Sequence, residues 1–195
     1  MYRRAALLLP IAALLHPAVA AEPGAAARFI GDVGHEFAAT IAGTTTVEQR
    51  KAKLAPFLQR VVDVDGAARF CLGRFWREAT PEQQRDYLQL FGQALVAAVA
   101  ARAENYGGDR TAITVLPEAP APDGVTVRTV VRTAGQPAVN VTWLVDTGRE
   151  PFKITDVQAE GISLRQTLRS DYTSFLRRNG GDLAGFLQSL REHAG

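Results

Sequence analysis

Ser163 is the first residue to test for chemistry, a hydroxyl two positions after a glycine in Glu160-Gly161-Ile162-Ser163-Leu164-Arg165-Gln166. A nucleophile elbow needs Gly-x-Ser-x-Gly so that the backbone can turn sharply beneath the serine, and the second glycine is missing. With Gln166 three positions on, Ser163 reads as the N-cap of a helix and the start of a capping box. Asp156 and Glu160 flank the end of a strand pattern and form a candidate carboxylate pair. Arg165 and Arg169 follow closely, so ion pairing is the expected use of those carboxylates. Asp63 and Asp65 stand close together, but the further acidic ligands of a calcium loop are absent. Cys71 lies between Phe70 and Leu72 in an apolar run and reads as a small buried hydrophobe, with a reactive thiol as the alternative. One cysteine with His35 and His193, far apart in the chain, does not make a standard zinc site. No glycine-rich phosphate loop follows a strand. The residues therefore predict no enzyme, no metal and no cofactor. A small α+β pocket needing only one carboxylate and an acid is kept as the enzymatic alternative.

The ends and the charge point to an exported protein. Arg3 and Arg4 precede an apolar run from Ala5 to Leu15, and Ala18-Val19-Ala20 is a small-x-small cleavage site. The run is too short to span a bilayer. Residues 1–20 thus read as a signal peptide, with a membrane anchor as the alternative, and residues 21–195 as a single domain. Lys and Arg number 22 and Asp and Glu 20, and removal of Arg3 and Arg4 makes the two counts equal. A balanced surface argues against nucleic acid, which rewards net positive charge. A lone cysteine excludes an intramolecular disulfide.

The elements follow from periodicity and local signals. Phe29, Val33, Phe37 and Ile41 recur every four residues on one helix face, which Gly43 and the threonines after it end. Thr46 and Gln49 make a capping box for a helix presenting Leu54, Phe57, Leu58, Val61 and Val62. Asp65 is expected to cap a short third helix that Gly73 ends. Thr80-Pro81-Glu82-Gln83 opens a long helix with a second capping box, expected to stop near Asn105 to Gly108. Its far half, Ala94 to Ala103, is nearly all Ala and Val, so that something can lie close to it. The period then changes to two: 112–115, 125–132, 138–145 and 152–158 read as four strands of an antiparallel meander. Val125, Val127, Thr129 and Val131 share one face, as do Val139, Val141, Trp143 and Val145, with Asn140 and Thr142 on the other. Ser163 starts a helix carrying Leu164, Leu168, Tyr172, Phe175 and Leu176, and Asp182 caps a last helix after Asn179-Gly180-Gly181. The fold class is α+β: a sheet of about four strands covered by N- and C-terminal helices, with no internal repeat or low-complexity linker.

Asp156-Val157-x-x-Glu160-Gly161-x-Ser163, followed by Arg169-Ser170, a glycine-containing break and a terminal Leu-x-x-Leu helix, resembles the signature of the MlaC or toluene-tolerance family of periplasmic phospholipid-binding proteins. The first half is similar too, in Asp65, Leu72-Gly73, Phe75-Trp76 and Pro81 to Gln84. The resemblance covers roughly residues 29–191. It departs where the family commonly has Trp at the place of Phe152, Tyr at the places of Thr155 and Trp143, and a Tyr in the helix half that here holds Val99 and Ala100.

The resemblance implies a lipid carrier with an apolar pocket. It is expected to shuttle phospholipid between inner and outer membranes, maintaining outer-membrane lipid asymmetry. Its expected partners are an inner-membrane ABC-type transporter complex and an outer-membrane lipoprotein/porin complex. A branch of the same family implies hopanoid as the alternative cargo, and an exported adhesin-like module is an alternative of another class. The expected lining is Phe75, Phe91, Leu95, Val99, Val127, Val131, Val139, Val141, Trp143, Ile154, Leu168 and Tyr172. Each of these is also compatible with packed core.

Overall fold

Six antiparallel strands and seven helices are described in the computed structural model, which covers residues 24–103 and 111–194. The signal-peptide reading of residues 1–20 and the expected helix stop at 105–108 lie outside the described residues.

Helices α1 (Ala25–Ile41), α2 (Val47–Val61), α3 (Val64–Leu72), α4 (Phe75–Glu78) and α5 (Pro81–Ala103) precede the sheet. Local chemistry sets most of their ends. Thr46 Oγ1 accepts from Gln49 N at 3.2 Å while Gln49 Oε1 accepts from Thr46 N, the full capping box expected for α2. Thr80 and Gln83 make the same reciprocal pair at the start of α5. The third helix corrects the expectation: Asp63, not Asp65, caps it, its carboxylate accepting from Gly66 N at 3.3 Å. The four-residue α4 between Gly73 and the capped start of α5 was also unexpected.

Strands β1 (Thr111–Val115), β2 (Ala119–Ala121), β3 (Gly124–Thr133), β4 (Val139–Asp146), β5 (Lys153–Ala159) and β6 (Ile162–Ser163) form one sheet in the order β1-β3-β4-β5-β6, with β2 pairing β3 beside β1. The four expected strands are present, and β2 and β6 are additional. Pro120 sits in edge strand β2, where a missing N–H costs no ladder bond. Gly124 has φ of 137°, and a Cβ there would meet Val145 O at 2.2 Å, so only glycine permits β3 to start this close to β4.

The register places Val125 opposite Val145, Val127 opposite Trp143, Thr129 opposite Val141 and Val131 opposite Val139. Directly paired residues share a face. The apolar face expected from alternation is therefore continuous across β3 and β4. Helix α1 covers it, burying Ala26, Ala27 and Ile30 against Val127, Val145 and Ile154. Helices α6 (Leu164–Arg178) and α7 (Leu183–Ala194) close the chain. Asp182 caps α7 as expected, accepting from Gly185 N at 3.0 Å.

Candidate functional site

The apolar interior divides into two regions. The first is an aromatic core among α3, α4, α5, α6 and α7. Tyr87 is its fully buried centre, with rings of Trp76, Phe91, Tyr172 and Phe186 at 5.9 to 6.5 Å and its hydroxyl donating to Ala68 O at 2.8 Å. The second is a seam in which α1 meets α2 and α5 on one side and the sheet on the other. Its two clusters share Phe29, Val33 and Val62, whereas neither shares a residue with the aromatic core.

An open cleft of about 750 Å³ lies where the two regions meet, between α2 and α5. Val64 and Leu88 from the margin of the aromatic core, and Leu58, Val62, Leu95 and Val96 from the seam, form its apolar wall. Small residues, Ala52 and Ala55 of α2 and Gly92 of α5, keep the two helices from filling it. Exposed Gln59, Asp65, Gln89 and Gln93 form a polar rim together with Lys51, Asp63 and Lys153. Lys153 is fixed by donating its Nζ to Gln59 O at 2.9 Å and Arg60 O at 2.6 Å, at the carbonyl end of α2. Apolar walls beneath a polar rim can hold a chain with a polar end at the water boundary. The volume falls in the range of ligand pockets, roughly 300–1,000 Å³.

The sheet face opens along its length. Val127 and Val145 are fully buried, Val131 and Val141 are half-buried, and Val139 and Ile113 are each 41% exposed. Ile113 pairs with Val131, which pairs with Val139, so an apolar row crosses three strands at the open end. The polar side chains on the β3 part of this face are buried Thr129, whose hydroxyl accepts from Trp143 Nε1 at 3.0 Å, and Thr133 at the strand's end, whose hydroxyl lies 3.2 Å from that of Thr111. Glu118, from the link between β1 and β2, accepts from Ala27 N at 3.0 Å and so ties the first turn of α1 to the edge of the sheet. Glu36 of α1 pairs with Arg60 of α2 on the opposite flank.

The twelve expected lining residues fall in different places. Phe75, Phe91, Leu168 and Tyr172 belong to the aromatic core and do not border the cleft. Leu95 and Val99 belong to the α5 side of the seam, and Leu95 also lines the cleft. Val127, Trp143 and Ile154 belong to the sheet side, and Val131, Val141 and Val139 continue that face toward its open end. The α2 wall of the cleft was not expected. Its signal, alanines at 52 and 55 on the helix face beside Leu58, is visible in the sequence but reads equally as close helix packing.

The signature motif is a structural joint. Asp156, 7% exposed, accepts from Ser163 Oγ at 2.6 Å, Val157 N at 2.8 Å and Arg165 N at 3.3 Å. Its carboxylate lies 3.6 Å from Arg165 Nε, the ion pairing expected for it. Glu160 takes the left-handed conformation of the turn, φ 47°, and accepts from Asn140 N. Ser163 caps α6 by accepting from Gln166 N at 3.1 Å. The capping box is only half formed: the Gln166 side chain does not return a bond to Ser163 N, and the Ser163 hydroxyl donates its own proton to Asp156. Cys71 is buried, and desolvation pushes its thiol up to about 12, above the range in which a thiolate forms at neutral pH. Among the described residues no group of His, Cys, Asp and Glu is arranged to hold a metal, and no helix is long and apolar enough to cross a membrane.

The chain matches the MlaC protein family over residues 36–192. It is also similar to a solved structure, the phospholipid-binding protein from Ralstonia solanacearum in complex with a phospholipid. The two share a fold, with a TM-score of 0.75 at 23% sequence identity, over 87% of this chain and 96% of that one.

Proposed function

The chain belongs to the MlaC family, and from that membership we propose that it is a periplasmic carrier that takes up phospholipid and moves it between the inner and outer membranes. The observation that carries the proposal is the family match across residues 36–192, joined to an apolar cleft and an opening sheet face within the same span. The similar fold of the Ralstonia protein, which binds phospholipid, supports the same cargo.

The physical task is desolvation. An acyl chain exposes several hundred square ångströms of apolar surface, so transit through water unaided costs on the order of 10 kcal/mol or more at about 25 cal/mol per Å². The carrier offsets this by admitting the tails to the seam and the cleft beside it. In this proposal Leu95, Val99, Val127, Val131, Val139, Val141, Trp143 and Ile154 contact the tails. Phe75, Phe91, Leu168 and Tyr172 support the lining as packed core. The polar rim of the cleft keeps the headgroup near solvent. Delivery then requires contact with a membrane complex at each end of the journey: an inner-membrane ABC-type transporter and an outer-membrane lipoprotein/porin assembly.

Transfer of a fluorescent phospholipid from donor vesicles to acceptor vesicles held apart from them tests the carrier reading. The rate is expected to rise in proportion to protein concentration. No acceleration, with the protein folded and leader-free, overturns it. Preference for a hopanoid over phospholipid in the same assay replaces the cargo and leaves the carrier.

A further inference from the structure

The geometry points to a phosphate-binding site on the face shared by α3 and α6, built from Arg165, Arg169 and Phe70 and separate from the lipid cleft. Arg165 and Arg169 stand one turn apart on α6, where like charges repel. Both nevertheless lie over the same ring. Their Cζ atoms are 4.5 and 4.8 Å from the Phe70 centroid. Two guanidiniums held against one ring concentrate positive charge beside it.

Their protein partners leave donors over. Asp156 already accepts three hydrogen bonds, and it faces Arg165 through Nε only, at 3.6 Å. Arg169 donates Nη1 to Phe70 O at 2.8 Å and has no carboxylate partner among the described residues. Gly73, in the left-handed region at φ 61°, makes room for that guanidinium, since a Cβ would sit 3.3 Å from its Cζ. The side chains are therefore fixed before any ligand arrives, while the Nη groups of Arg165 and Nη2 of Arg169 meet no acceptor among the described residues. An oxyanion that accepts from both guanidiniums at once gains charge-assisted hydrogen bonds from side chains already held in place. The ligand class is phosphate, whether free or carried by a lipid headgroup. None of Phe70, Arg165 and Arg169 lines the cleft, so the site does not depend on the carrier reading.

The test is NMR of the Arg Nε–Hε signals of the leader-free protein in phosphate-free buffer. Inorganic phosphate is titrated in one arm and phosphatidylglycerol vesicles in the other, with phosphatidylcholine vesicles for comparison. Saturable shifts at Arg165 and Arg169 are expected. Arg169→Gln should weaken binding at least tenfold, Arg169→Lys should restore only part of it, and Phe70→Leu should weaken it with the charge unchanged. Arg177→Gln should leave it intact. Shifts with inorganic phosphate alone identify a free-anion site. Shifts with phosphatidylglycerol vesicles that added phosphate reverses identify a headgroup site. No saturation in either arm, or binding unchanged in both folded Arg169 variants, overturns the proposal.

Discussion

The aromatic core around Tyr87 and the seam beneath α1 are both apolar, but they close differently. In the core, rings from α4, α5, α6 and α7 meet in tilted and edge-to-face pairs, and Tyr87 places its one polar atom on Ala68 O. Nothing there can be exchanged for a ligand without loss of packing. The seam grades from fully buried Val127 to half-buried Val141 and exposed Val139, with the cleft at its margin. It mixes aliphatic residues with the ring pairs Phe29–Phe152 and Phe37–Phe57, and its packing opens toward Val139, so bound tails would add contacts there rather than displace them. On the proposed function, stability rests with the first region and cargo with the second.

The comparison breaks first at Tyr87. Tyr87→Ala removes a fully buried ring and should lower unfolding free energy by about 3–5 kcal/mol in chemical denaturation. Tyr87→Phe keeps the ring and removes only the bond to Ala68 O, and should cost about 1 kcal/mol. A small loss for Tyr87→Ala would mean that the core is as loose as the seam.

Paired carboxylates on the sheet face sharpen the distinction. Val127→Glu buries a charge beneath α1 and should leave no folded protein. Val141→Glu, one step toward the open end, should fold and lose most of its retained lipid. Arg128→Glu, exposed on the opposite face, should be close to neutral in both measures. Asn140 is a poorer control than its exposure suggests, because the Glu160 carboxylate lies against its backbone N–H and its amide. If Val141→Glu holds lipid as the parent does, the open face is not part of the binding site.

The signature joint belongs with the core in this contrast. Asp156→Asn should cost about 1–3 kcal/mol through loss of the charged acceptor shared by Ser163 and the start of α6, with lipid retention per folded protein unchanged.

These contrasts were only partly legible in the sequence. Helix starts were legible because capping is local: Thr46 with Gln49, and Thr80 with Gln83, satisfy one another within four residues. Asp63 and Asp65 offered the same chemistry two residues apart, and tertiary placement of α3 chose the first. The sheet face was legible because alternation fixes which residues point together, and the register joins Val131 to Val139 on that shared side. β2 and β6 were not, since three and two residues carry no periodicity and form only against an existing edge. The division of Phe75, Phe91, Leu168 and Tyr172 from Leu95 was invisible for a deeper reason. A packed core and a cavity wall demand the same apolar side chains, and only the third dimension tells them apart.

The smallest effect concerns alkaline pH. Burial pushes the Cys71 thiol from 9.0 to about 12 and the Tyr172 hydroxyl from 10.0 to about 12. The folded state therefore holds these protons more tightly than the unfolded state. Their contribution is fully present below about pH 9 and is lost as pH rises toward 12. The unfolding midpoint should be flat through neutrality and fall in that window. Cys71 should resist alkylation at pH 8 until the protein unfolds, and ready alkylation of the native protein would show that the core opens.

Lipid carriage can be read from the protein as a cell makes it. The full chain is expressed in a Gram-negative host, purified from the periplasmic fraction without detergent, and examined by native mass spectrometry followed by lipid extraction. The account predicts a folded protein carrying phospholipid in stoichiometric amount, released on denaturation and much reduced in Val141→Glu. Folded protein without lipid, which also fails to take up labelled phospholipid from vesicles, would contradict it.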